Sequence, residues 1–289
     1  MREEEDSRDL LTRAGARTLT RPQRCAVALL GLLAGPVAMP VHSTSAADRV
    51  APAGSIGPLL AAYPDHLERI EANALVWKDG TRMMIDDGRG PKSHEVRLAT
   101  ADLKDMLAQR YRPGPLAEPP ARHFDPGRAR NAAFFDKMYG DCRNNAVASH
   151  LVDMVWLPRK WGRTVPVTRI NGVAARLAEV SRALDALPSH FDVFLFPPAG
   201  TYNCRVIAGT NRASAHGHGI AIDLALGRSD YWRWAGVSGD RDIVYKNRMP
   251  TEIVAIFEDR GFIWGGKWYH YDTMHFEYRP ELLIDHKER

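Results

Sequence analysis

The run Ser214-Ala215-His216-Gly217-His218-Gly219-Ile220-Ala221-Ile222-Asp223 leaves the surrounding chain few ways to fold. A loop rich in histidine and glycine passes directly into an apolar strand, read over 219–226, that carries a single carboxylate. A carboxylate set among Ile220, Ile222, Leu224 and Leu226 needs compensation, because an isolated charge in apolar surroundings is strongly disfavoured. Strand alternation offers one way out, turning Asp223 to the face opposite Ile222 and Leu224, where water can reach it. A bound metal ion offers the other. His216 brings an imidazole nitrogen and Asp223 a carboxylate oxygen, both ordinary zinc ligands. Gly217 and Gly219 add no side-chain bulk, so the backbone can wrap closely around an ion.

A second segment, Trp264-Gly265-Gly266-Lys267-Trp268-Tyr269-His270-Tyr271-Asp272-Thr273-Met274-His275-Phe276-Glu277, supplies the missing parts. His275 can act as the third ligand and leave the fourth zinc position to water, the arrangement of a catalytic zinc. Asp272, three residues earlier, is placed to take the water's proton as general base. A structural zinc would normally take four Cys or His ligands, and Cys142 and Cys204, expected to bond to each other, are not free to serve one. Glu277 is a candidate to hydrogen-bond a ligating imidazole from behind. His218 reads as facing solvent or substrate, and His270 as a surface group or a contact for the leaving group. Trp264, Trp268 and Tyr271 read as core or rim packing or as the wall of a peptide groove. Ser214 has no triad pattern around it and reads as a loop hydrogen-bonder.

Together the patterns S-x-H-x-x-G-x-A-x-D, W-G-G-x-W and D-x-x-H-F-E resemble the zinc D-alanyl-D-alanine carboxypeptidase family over about residues 140–285. That family includes D,D-peptidases of vancomycin resistance and phage L-alanoyl-D-glutamate endolysins. The resemblance implies one Zn2+ ion on His216, Asp223 and His275, with Asp272 as base where some members carry Glu. It also implies an arginine on the strand before the first motif that steadies the oxyanion; Arg205 is the matching candidate and Arg212 its rival. The implied substrates are amide bonds of peptidoglycan stem peptides, a terminal D-Ala first among them, which makes the chain resemble a D-alanyl-D-alanine carboxypeptidase. An L,D- or D,D-endopeptidase of the same fold, a zinc amidase and a non-catalytic cell-wall-binding protein are the alternatives.

The rest of the chain frames these motifs. Its 289 residues, 45% hydrophobic and 26% charged, suffice for a sizeable core and exclude global disorder. Net charge is +4 and the pI about 9.0, but no basic run or stripe accompanies them, so no nucleic-acid partner is expected. Arg17, Arg21 and Arg24 precede an apolar stretch at 25–41, and Ser45, Ala46 and Ala47 follow it. That order describes a secretory signal over 1–47, and Gly35, Pro36 and Pro40 argue against a membrane span, with an uncleaved anchor the alternative. The expectation is an exported protein, periplasmic or associated with the cell wall, with no stable membrane span after cleavage. In an oxidising compartment Cys142 and Cys204 are a candidate disulfide, the alternative being two separate buried thiols.

Residues 48–140 read as a largely helical N-terminal region. It holds a helix over 58–74, a hairpin of 74–77 with 82–85 about Asp79-Gly80, a proline-rich connector over 112–127, and a helix over 128–138. Residues 141–289 read as the catalytic domain, with strands at 152–157, 164–168, 191–196, 201–207, 219–226 and 274–278 and helices over 171–187 and 250–260. The expected fold class is α+β: a small, mostly antiparallel sheet with flanking helices carrying a single-zinc site, preceded by the helical region. No pattern fixes an oligomeric state.

Overall fold

The computed structural model describes residues 54–207, 212–235 and 243–284; the expected signal segment, 1–47, lies outside them. Helix α1 (Gly57–Ala62) starts on a proline in its first turn, where the missing N–H costs nothing. The helix expected over 58–74 stops there. Residues Leu67–Glu71 form strand β1 instead, pairing antiparallel with β2 (Ala74–Trp77), which in turn pairs with β3 (Arg82–Met84). Only Leu67 of β1 is buried, so this stretch has no apolar face long enough to sustain a helix, and pairing with the hairpin prevails. The Asp-Gly turn forms as expected, with Thr81 N donating to Asp79 Oδ1 at 3.0 Å. Short helices α2 (His94–Ala99) and α3 (Leu103–Met106) follow, the second closed by an Asp102–Asp105 capping box. The connector holds no regular element, and α4 (Ala132–Tyr139) closes the region. This region is mixed helix and sheet, not largely helical.

Beyond it, β4 (Leu151–Trp156) and β5 (Arg163–Thr168) form a hairpin on which α5 (Val173–Asp185) packs through Val173, Leu177, Val180 and Leu184. The strand expected over 191–196 is a helical turn ending in α6 (Asp192–Leu195). Phe191 and Leu195 are the buried pair there, four residues apart, which is helical and not strand spacing. The strand expected over 201–207 is also absent. Its backbone groups serve the histidine turn instead, with Asn203 N donating to His216 O (3.1 Å) and Arg205 O accepting from Ser214 N (3.0 Å).

Strands β6 (Ala221–Asp223), β7 (Phe262–Trp264) and β8 (His275–Tyr278) make an antiparallel sheet in the order β6-β8-β7. Helix α7 (Thr251–Glu258) lies against β7, and Gly261, at φ +89°, ends the turn between them. One hydrophobic cluster runs from Leu59 and Trp77 through Phe134, Trp156 and Leu177 to Phe257 and Phe276, so residues on both sides of position 140 share a core. Each such large side chain contributes about 1.5–3 kcal/mol on burial, and their continuity fixes the sheet against the helices. Mixed helices and small antiparallel sheets define an α+β fold. Among the described residues no helix is long and apolar enough to cross a membrane.

Candidate active site

The register of β6 on β8 pairs Asp223 with His275, so the two side chains leave the sheet on the same face as neighbours. His216 comes from the single 3-10 turn Ala215–His218 just before β6, capped by Ser214, whose hydroxyl accepts from His216 N. The turn ends on Gly219 at φ +67°. A Cβ there would stand 3.0 Å from both Leu151 Cδ2 and Thr168 N, so only glycine lets the turn seat on the β4–β5 hairpin. Asp223 Oδ1 lies 3.2 Å from His216 Nε2 and 2.9 Å from His275 Nδ1, and those two nitrogens are 3.2 Å apart. Tetrahedral zinc ligands at ~2.0–2.1 Å stand about 3.3 Å from one another, so this triangle fits a single ion. The far nitrogens are engaged too: His216 Nδ1 with Thr201 O at 2.5 Å, His275 Nε2 with Glu277 Oε2 at 3.2 Å. Such outer contacts fix the rings so that the near nitrogens point inward.

The charges agree with the geometry. Burial alone would raise the Asp223 carboxyl, but His216 and His275 outweigh it and hold it far below the usual carboxylate range. Burial would lower His275; its hydrogen bonds to Asp223 and Glu277 prevail and raise it to about 10. A metal cation at the triangle would displace that proton, which ties metal uptake to proton release.

Asp272 sits beside the triangle. Its backbone N donates to Gly265 O (3.0 Å) and its carbonyl accepts from His275 N (3.2 Å), so the loop folds back tightly on the Gly265 turn. A Cβ on Gly265 would lie 2.6 Å from Asp272 O, which explains the Gly-Gly of the motif. Asp272 Oδ1 is buried and, among the described residues, has no hydrogen-bond partner. Burial first, then the charge of Asp223, pushes this carboxyl up to about 6. A proton acceptor poised near neutrality is what general-base chemistry requires.

Asp223, His275 and Asp272 line a cavity of about 360 Å³, shared with Arg128, Arg130, Arg205, Arg212, Trp232, Trp268 and His270. Both arginines considered from the sequence therefore reach it, and neither excludes the other. Burial, then the adjacent charges of Arg130 and Arg128, push Arg212 down to about 10. Cys142 and Cys204 form a disulfide, with Cα atoms 5.6 Å apart, one residue from Arg205.

Glu277, the last residue of the second motif, has partners that the motifs do not mark. Glu277 is buried between Arg130 and Arg279, and Arg279 also binds Glu281 (2.5 Å) and Gly127 O (2.6 Å). Strand alternation through 275, 277 and 279 could have flagged Arg279; nothing local marks Arg130. Asp125 accepts from His270 N (3.0 Å) and pairs with His270 Nδ1 (2.7 Å), orienting a ring that lines the cavity. His94, Asp125 and His270 form a second His/Asp group, but Arg128 Nη1 lies 3.3 Å from the same Asp125 oxygen and supplies the compensating charge. His218, expected to face solvent or substrate, is buried, bonds Gly140 O (3.0 Å), and is pushed down to about 4 by burial, hence neutral. Trp264 and Tyr271 pack in the interior, whereas Trp268 also walls the cavity.

Fold and site together define an α+β protein with a His-Asp-His candidate metal centre beside the buried carboxylate of Asp272. Residues 208–278 match the model of the family described as D-alanyl-D-alanine carboxypeptidase, so the resemblance carried by the two motifs holds over the segment containing all three candidate ligands and Asp272. No curated protein matches the chain.

Proposed function

We propose that the protein is a zinc-dependent peptidase of peptidoglycan stem peptides, acting as a D-alanyl-D-alanine carboxypeptidase. The observation that carries this reading is the His216–Asp223–His275 triangle, two of whose members, Asp223 and His275, line one arginine-rich cavity together with the buried carboxylate of Asp272. His216, Asp223 and His275 would hold one Zn2+, which when bound polarises a carbonyl oxygen and acidifies water. Asp272 accepts the proton of the attacking water and returns it to the departing amine; its burial favours the protonated form, which lets one carboxyl do both. Arg205 directs its donors at the oxygen of the scissile carbonyl, where a comparable group is worth about 3–4 kcal/mol in the transition state. His270, held by Asp125, and Trp268 confine the peptide.

In this reading residues 141–289 carry the catalytic groups and the region before them supplies a wall of the cavity. The basic, apolar and small-residue order of 1–47 supports export to the periplasm or cell wall, and the Cys142–Cys204 bond suits that compartment. An endopeptidase would use the same groups. A non-catalytic binder has no use for Asp272.

The test is mass spectrometry of muropeptides incubated with metal-loaded protein. Loss of a terminal D-Ala is expected; a split stem would mean an endopeptidase, a freed stem an amidase, and unchanged muropeptides a binder. Asp272→Ala should keep its metal and lose at least about 100-fold in kcat, whereas His216→Ala should lose the metal itself. Full turnover by Asp272→Ala would remove the base assignment.

A further inference from the structure

We infer that Arg128 is a specificity-determining residue that binds a carboxylate of the substrate, an assignment that rests on the peptidase reading above. Arg128 belongs to the segment that follows the proline-rich connector, outside the 208–278 family match, yet its side chain lines the same cavity as Asp223, Asp272 and His275. The guanidinium is braced from behind. Nη1 is buried 3.3 Å from Asp125 Oδ2, and the guanidinium carbon stands 5.6 Å from the centre of the Trp268 ring. Among the described residues the guanidinium makes no hydrogen bond, and the side chain is 18% exposed. Its remaining N–H donors are therefore held in place but uncommitted. A planar guanidinium fork in that condition matches a carboxylate in two-point geometry.

The charges around it favour an anion. Arg128, Arg130, Arg205 and Arg212 line the cavity against Asp223 and Asp272. Arg130 is taken up by Glu277, and Asp223 by the metal in the proposed chemistry. Asp125 divides its charge among Arg128, His270 and His94, the last at 3.4 Å. A neutral group placed against Arg128 would leave its donors dehydrated and unmatched, and penalties of that kind discriminate between substrates more strongly than apolar contacts do.

The shared lining limits where the carboxylate can be. Arg128 lines the same cavity as Asp223, Asp272 and His275, so the group it binds belongs to the part of the substrate near the scissile amide. It comes either from the chain end or from an acidic side chain next to the cut.

The experiment compares three synthetic stem peptides: one with all carboxylates free, one with only the C-terminus amidated, one with only the acidic side chain amidated. Kinetics are measured with metal-loaded wild type and Arg128→Gln. For the free peptide the variant should raise KM about tenfold or more while kcat stays within about threefold. Amidating the carboxylate that Arg128 binds should produce the same rise in wild type and none in the variant, so the amide that matters identifies the source. Arg128→Lys should recover part of the loss.

A variant that weakens all three peptides equally, or a wild type indifferent to both amides, overturns the assignment. Should Arg128→Gln fail to fold, Arg128→Lys and the wild-type amide series decide by the same criteria. Cleavage insensitive to either amide would remove the subsite and keep the peptidase. Absence of cleavage with carboxylate-dependent binding by calorimetry would do the reverse.

Discussion

His275 faces two carboxylates, Asp223 through Nδ1 and Glu277 through Nε2. Only the first can share a cation with it; the second sets the direction of the ring. Glu277→Gln should therefore lower metal affinity by about 10–100-fold, read by competition with a chromogenic chelator. The unfolding midpoint should fall as well, since Arg130 and Arg279 would be left with less negative charge in a buried site. At this level the sequence already named the three candidate ligands, Asp272 and Glu277, because they occur in two short runs where spacing carries meaning. Asp125 and Arg128 gave no such sign. Asp125 meets His270 across 145 positions, and no local period announces a contact of that separation.

The segment around Thr201–Arg205 was expected as a strand and is instead a strap across the histidine turn. Thr201 O holds His216 Nδ1, Asn203 N bonds His216 O, and Cys204 ties the strap to Cys142. Replacing both cysteines by serine should cost about 4 kcal/mol in the chain-entropy account for a 62-residue separation, read as a lower unfolding midpoint. If the strap also fixes Arg205, kcat falls in the same variant with metal content unchanged. Unaltered stability and turnover together would remove the structural role.

Elements with their own periodicity, such as α5 and the β4–β5 hairpin, could be read from composition and spacing to within a few residues. Those decided by partners could not. β1 pairs with a hairpin although the spacing of Leu67 and Ile70 continues the period of α1, and β7 is a three-residue strand whose burial on every position removes any alternation.

The connector shows how far the protein is knit together. Tyr269 N bonds Phe124 O (2.8 Å), Trp268 Nε1 bonds Pro126 O (2.7 Å), and Lys267 Nζ reaches Arg112 O and Gly114 O, each at 2.6 Å. Composition marked 112–127 as irregular; only the fold shows it laced to the second motif.

Asp125 is the acidic residue of the connector in this seam. Burial would raise its carboxyl, but Arg128 and then His270 hold it down at about 2 against an ordinary 3.8. A depressed carboxyl stabilises the fold at pH values above its unfolded value, and that contribution fades as pH falls from about 4 through about 2. The amount at stake is about 2 kcal/mol. In acid titrations of stability, Asp125→Asn should thus start lower at neutral pH and show a shallower decline across that window. Parallel curves for variant and wild type would contradict this.

The pairing of Asp223 with His275 has its own consequence, because 52 positions separate the two residues and their ladder fixes where they meet. Chain between them can grow or shrink at small cost, about 0.6 kcal/mol for each doubling of a flexible loop. The ladder permits no such variation. A one-residue slip of β8 that brought Phe276 opposite Asp223 would turn the His275 imidazole to the other face of the sheet and present the Phe276 ring to the cavity, silencing the centre while most of the fold survived.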